Sequence, residues 1–260
     1  MRGGHSPFAH LTTRDGLAPL IALVAVMLLC WWYLAGLAAE MGAMAPGEMM
    51  AFKPWTPTYF ALMLAMWSIM MIAMMLPSAA PMILLYRQVA RKNHLIRGAL
   101  GTALFAGGYL TVWAVFSLVA TTLQWRLELW AVLSPAMRSQ NVLFSGLVLI
   151  AAGIYQWSPW KQACLTHCRG PLFFITRHWQ PGLAGAFEMG IVHGAYCVGC
   201  CGALMALLFV GGVMDLSVIA AIAVIVLLEK TIPGGEWLAK GLGVVAIGVG
   251  LGIIMSGQVL

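Results

Sequence analysis

The sequence predicts an all-α fold, a polytopic transmembrane helix bundle of about seven spans. Three observations predict it. Of 260 residues, 62% are hydrophobic and only 8% are charged, whereas a soluble domain carries about 25% charged residues. Seven apolar runs approach the roughly 20 residues that a spanning helix needs. The basic residues gather in alternate connecting segments, as they do in helical membrane proteins.

The seven runs lie at about 17–39, 58–85, 99–123, 140–157, 185–211, 215–230 and 240–257. The first is followed by Ala43-Met44-Ala45, a small-x-small pattern of the kind cleaved after signal peptides. Its apolar stretch is longer than the roughly 7–15 residues of a signal h-region, so it reads as an anchor. The second is rich in methionine and holds Pro77 and Pro81, which predict a kink or break. The third is a plain apolar span. The fourth and sixth are short and leave little room for tilt. The fifth carries Gly190 and Gly194 and the seventh Gly248 and Gly252, pairs at a spacing that lets helices pack closely within one bundle.

Eleven basic residues (Arg2, Arg14, Arg87, Arg91, Lys92, Arg97, Lys161, Arg169, Arg177, Lys230 and Lys240) fall on one set of connections, against Lys53, Arg126 and Arg138 on the other. The bias puts the N-terminus in the cytoplasm and the C-terminus on the outer, periplasmic side. The charge thus follows the membrane face and gives no case for nucleic acid. The expected layout is a cytoplasmic arm at 1–16 and one transmembrane domain at 17–260, with membrane lipid around it. A cytoplasmic, cysteine-containing loop is expected at 158–184. No stretch fits a soluble domain, and no internal repeat stands out.

The fifth run supplies the chemistry. At about 100° per residue, Met189, His193, Cys197 and Cys200 fall on one stripe, with Cys201 just beyond its edge. A lone buried cysteine packs as a small hydrophobe. An imidazole and three thiols inside a membrane span are another matter, because ionisable groups there are rare and functional. Soft sulfur with imidazole points to Cu(I), with Zn(II) as the alternative. In the second run Met63, Met66, Met70 and Met74 form a stripe, and Met71, Met75 and Met82 an adjacent one. Met stripes also serve as adaptable core filler, but thioethers bind Cu(I) and compete poorly for harder ions. Met66, Met70 and Met74 are therefore candidate ligands facing His193, Cys197, Cys200 and Cys201.

In the expected loop, Cys164 and Cys168 are spaced so that both thiols meet on one helical turn. They suit metal capture or delivery, and Lys161 and Arg169 nearby would favour thiolate. A disulfide is disfavoured in the cytoplasm. Cys30 has no polar company and reads as core. Glu188 lies off the stripe, close enough to the loop to pair with it. Glu229-Lys230 reads either as an ion-pair latch or as interfacial charges that snorkel.

Four stretches together resemble a known family: Met66-Trp67, Met70, Ala73-Met74-Met75, Pro77 and Pro81; Tyr155-Gln156, Pro159, Lys161, Cys164, Cys168-Arg169 and Pro171; Gly190, Gly194, Cys197, Gly199-Cys200-Cys201 and Met205; and Glu229-Lys230. The resemblance spans roughly residues 60–232 and is to a bacterial family of metal-binding integral membrane proteins of undefined function, some labelled copper chaperones. It implies a multi-pass inner-membrane protein that handles copper. His193 and Cys201 rest on the physical argument alone. The Met-x-x-x-Met spacing also resembles eukaryotic copper-uptake channels, in motif only.

The function expected is non-enzymatic: Cu(I) binding, then transfer across the membrane or assembly of a membrane copper protein. The partner would be a membrane copper enzyme or a soluble copper carrier. A membrane thiol-disulfide oxidoreductase linking Cys164/Cys168 to Cys200/Cys201 is the alternative. An accessory structural subunit of a membrane complex is the third reading. No hydrolase triad, phosphate-binding loop or pair of catalytic carboxylates is present.

Overall fold

The computed structural model describes residues 14–43, 54–92 and 98–259. Residues 1–13 of the expected arm at 1–16, the Ala43-Met44-Ala45 pattern beyond Ala43, and Lys53 and Arg97 lie outside the described residues, and residues 14–16 of that arm open the first helix. Within them the protein is all-helical, without a strand. The helices are α1 (Arg14–Ala43), α2 (Pro57–Lys92), α3 (Gly98–Leu129), α4 (Val142–Gln156), α5 (Pro159–Arg169), α6 (Pro171–His178), α7 (Gly182–Met205), α8 (Leu208–Gly211), α9 (Leu216–Thr231) and α10 (Gly235–Ser256). Five segments are long and apolar enough to cross a membrane: those of α1, α2, α3, α7 with α8, and α10. Counting α4 and α5, which meet at a 63° bend, as one broken span makes six. The sixth expected run is α9, of 16 residues.

Two helix crossings organise the bundle, and both depend on missing side chains. Where α3 crosses α7, a Cβ on Gly190 would press into the Phe105 carbonyl, and one on Gly108 into the Phe187 carbonyl. Gly194 lies beside Val112 in the same interface, 2.9 Å from where its Cβ would sit. The expected pair of the fifth run is thus a packing pair. In α10 the expectation shifts. Nothing lies near Gly248 or Gly252, while Gly243 and Gly250 pack against Gly153 and Gly146 of α4, with would-be Cβ contacts of 2.7–2.9 Å to facing carbonyls.

The core between these crossings holds Met66, Trp67, Met70, Met71, Met74, Met75 and Met82 of α2 with Phe105, Tyr109 and Trp113 of α3. Apolar side chains such as Trp32, Leu147 and Val245 face outward, as they would in a helix bundle solvated by acyl chains. Pro77 and Pro81 do not break α2, which runs unbroken past both. In that turn the Met75 carbonyl accepts from the Ser78 hydroxyl at 2.9 Å and the Tyr109 hydroxyl at 3.2 Å.

The stretch 158–184, expected as a loop, carries two helices folded against α7. Ser158 caps α5 by accepting from the Lys161 backbone N–H at 3.1 Å, and Pro159 occupies the first turn, where its missing N–H costs nothing. Gly170 ends α5, and Pro171 starts α6 in the same way. Leu165, Phe174 and Ile175 are buried, so α5 and α6 are part of the bundle.

Candidate metal centre

The α3–α7 crossing brings the stripe of α7 into the core, and Met189, His193, Cys197, Cys200 and Cys201 are all buried. The sulfurs of Cys197, Cys200 and Cys201 lie within 4.8 Å of one another. Cys201, expected at the edge of the stripe, is a full member of this triad. Cys200 and Cys201 sit one turn on from Cys197, and both thiols donate to its carbonyl, at 3.2 and 2.9 Å.

Further sulfurs close around the triad. Cys168 at the end of α5 has its Sγ 3.7 Å from that of Cys200. The two cysteine motifs, far apart in sequence, therefore meet. Cys164 packs its sulfur against Gly199, 2.7 Å from where a Cβ would stand, and the Gly199 carbonyl accepts from the Tyr155 hydroxyl at 2.5 Å. On the α2 side, Met75 Sδ lies 3.7 Å from Cys201 Sγ. Met66, Met70 and Met74 are buried in the same core, but Met75, from the adjacent stripe, carries the described sulfur contact to the cysteines.

The polar partners of Cys197 are what sequence reasoning missed. Lys230 of α9 is buried and donates from Nζ to Cys197 Sγ at 2.9 Å and to the Ser78 hydroxyl at 3.0 Å. The Tyr109 hydroxyl lies 3.1 Å from the same sulfur. Glu229 does not pair with Lys230. It accepts from Lys161 Nζ at 2.7 Å, both groups being out of solvent, and Lys161 also donates to Gln156 Oε1. Lys161 is thus occupied as the ion pair that ties α5 to α9, and Arg169 donates to the Ile232 carbonyl at 2.7 Å. Neither basic residue is given over to the thiols of α5. Glu188 accepts from Gln180 at 3.0 Å, and Cys30 is half-buried against the core.

His193, one turn before Cys197, is held among rings: Tyr109 at 5.5 Å, Phe105 at 6.1 Å and Phe174 at 5.3 Å between centroids. Its Nδ1 is buried with no hydrogen-bond partner. A buried polar atom without a partner is costly. The three thiols and the Met75 thioether form a donor set suited to a soft transition metal, while His193, expected as a ligand, stands outside the group whose donor atoms lie within 4.8 Å of one another.

A family model described as PpoB2, copper chaperone, matches residues 64–253, well over half of the chain. The chain belongs to this copper chaperone family. The match takes in the core of α2, both cysteine motifs and Glu229-Lys230, so it covers the residues that build the centre. Comparison with curated proteins and with solved structures finds no match.

Proposed function

We propose that the protein is a copper chaperone of the bacterial inner membrane that carries Cu(I) on the sulfurs of α7. The ion is cargo, handed on by ligand exchange to a membrane copper enzyme or a soluble copper carrier. The observation that carries the reading is the convergence of three buried cysteine sulfurs within 4.8 Å in a chain of the copper chaperone family. Cu(I) accepts two or three soft ligands, whereas Zn(II) seeks about four in a tetrahedron.

Cys197, Cys200 and Cys201 supply the first ligands, and His193, one turn earlier on the same helix, is the next donor along α7. Cys168 and Met75, each 3.7 Å from a triad sulfur, stand where a moving ion would exchange one ligand for the next. Cys164 extends the path along α5. Met66, Met70 and Met74 continue it along α2. Lys230 sets the charge: Cu(I) on two thiolates carries one net negative charge, and the ammonium against Cys197 balances it. The basic residues of the N-terminal arm and of the connection before α3 support a cytoplasmic N-terminus. Long apolar helices support the membrane setting.

Protein purified under reducing conditions is expected to hold close to one copper per chain by elemental analysis. The Cys197→Ser/Cys200→Ser variant should lose it. Wild-type protein with no measurable Cu(I) affinity would end the reading. A thiol-disulfide oxidoreductase is the second reading, favoured by one observation: Cys168 and Cys200 approach to 3.7 Å from different helices. Metal-free protein in which thiol trapping captures a reversible Cys168–Cys200 disulfide would put that reading first.

A further inference from the structure

We propose that His167 and His178 form a second copper site, at the side of the thiol cluster, through which the ion is loaded. The inference rests on the copper reading above and adds a site to it. His167 Nδ1 lies 2.8 Å from the Ala163 carbonyl, and His178 Nδ1 lies 3.2 Å from the Phe174 carbonyl. A carbonyl only accepts, so both Nδ1 atoms carry the proton. In the neutral rings that leaves each Nε2 as a bare lone pair, the arrangement found in metal-binding histidines.

The rings are also held in position. His167 lies flat on Tyr196, with centroids 4.1 Å apart and planes 4° from parallel. His178 stacks on Phe174 at 4.7 Å and 19°. The two imidazole centroids are 6.1 Å apart. With a metal–nitrogen bond of about 2.0 Å, two imidazoles sharing one ion have centroids roughly 5–6.3 Å apart, the upper end being linear two-coordination. The separation of the pair lies within that range.

The position gives this site its role. His167 stacks on Tyr196 of α7, so the pair lies at the α5–α7 contact that also brings Cys168 to within 3.7 Å of Cys200. Both histidines are half-buried, whereas the triad is closed off. An ion held by two neutral imidazoles keeps its charge and is bound less firmly than on thiolates. It therefore passes downhill to Cys168 and then to the triad.

The test uses the full chain in detergent, with Cu(I) supplied from a bicinchoninate complex. His167→Phe/His178→Phe keeps the ring packing and removes the nitrogens. Wild type is expected to take up two equivalents, one tight and one weak. The double Phe variant should keep the tight equivalent, lose the weak one, and load at least tenfold more slowly. Cys197→Ser/Cys200→Ser should retain the weak equivalent, with a nitrogen-only shell by X-ray absorption. A double Phe variant that takes up two equivalents at the wild-type rate overturns the histidine site and leaves the thiol site standing. Wild type without a sulfur-bound equivalent overturns the copper reading itself.

Discussion

Lys230 offers the sharpest test of how the centre works. Its ammonium lies 2.9 Å from Cys197 Sγ and is shielded from solvent, so its field is only weakly screened. The net negative charge of a Cu(I) bis-thiolate on that sulfur lies about 4 Å from the ammonium, and opposite unit charges at that distance attract by about 4 kcal/mol at an effective dielectric constant near 20. Lys230→Met keeps the volume and removes the charge. The empty variant stays neutral by keeping its thiol proton, but the loaded variant must bury an unbalanced anion. The difference is expected at about 2–4 kcal/mol, a loss of roughly 30- to 1000-fold in Cu(I) affinity. Competition against a chromophoric Cu(I) chelator measures it on protein that elutes as a single species. Lys230→Arg should recover most of the loss. Binding by Lys230→Met within threefold of wild type would refute the charge-balance argument.

Other outcomes follow from the packing and the caps. Lys161→Met strands the Glu229 carboxylate inside the bundle and should cost about 3–5 kcal/mol in denaturation, while Lys161→Met/Glu229→Gln should recover much of that. Gly190→Val pushes α7 off α3 and should lower stability by about 1–3 kcal/mol or more, whereas Gly248→Ala, inside α10 and in open space, should not lower the melting temperature and should raise it slightly. Asp215 caps α9, accepting from the backbone N–H groups of Ser217 at 3.0 Å and Val218 at 3.3 Å. The Ser217 hydroxyl, with those N–H groups and Arg138 nearby, holds its carboxyl below the usual range. A depressed folded-state value stabilises above the unfolded value of about 4 and is lost as pH falls through the folded one. Asp215→Ala should therefore cost about 1 kcal/mol at neutral pH, and the gap should narrow in thermal melts taken at progressively lower pH.

The helices were legible because a membrane demands long apolar runs, and such runs survive any error in packing. The α7 stripe was legible for the same reason: 3.6-residue periodicity fixes which side chains share a face before any neighbour is known. Helix α5 was hidden by its polar composition and α6 by its eight-residue length, although Ser158-Pro159 and Gly170-Pro171 are the cap-and-proline signals that mark them. The Met side of the centre divided between two adjacent stripes, and only the angle of α2 against its neighbours decides that Met75 meets Cys201. Lys230 was out of reach. Its partner Cys197 is on another helix, and nothing local separates a lysine that snorkels from one turned inward onto a thiol. The glycines of α10 show the same limit, since spacing marks small residues and the partner helix chooses among them.

Copper held on the thiols of α7 has a spectroscopic signature of its own. X-ray absorption at the copper edge, on protein loaded with one equivalent of Cu(I) under reducing conditions, tests for it most directly. Copper on these thiols gives a two- or three-coordinate, sulfur-dominated shell that disappears in Cys197→Ser/Cys200→Ser. A first shell of nitrogen and oxygen, unchanged in that variant, would contradict it.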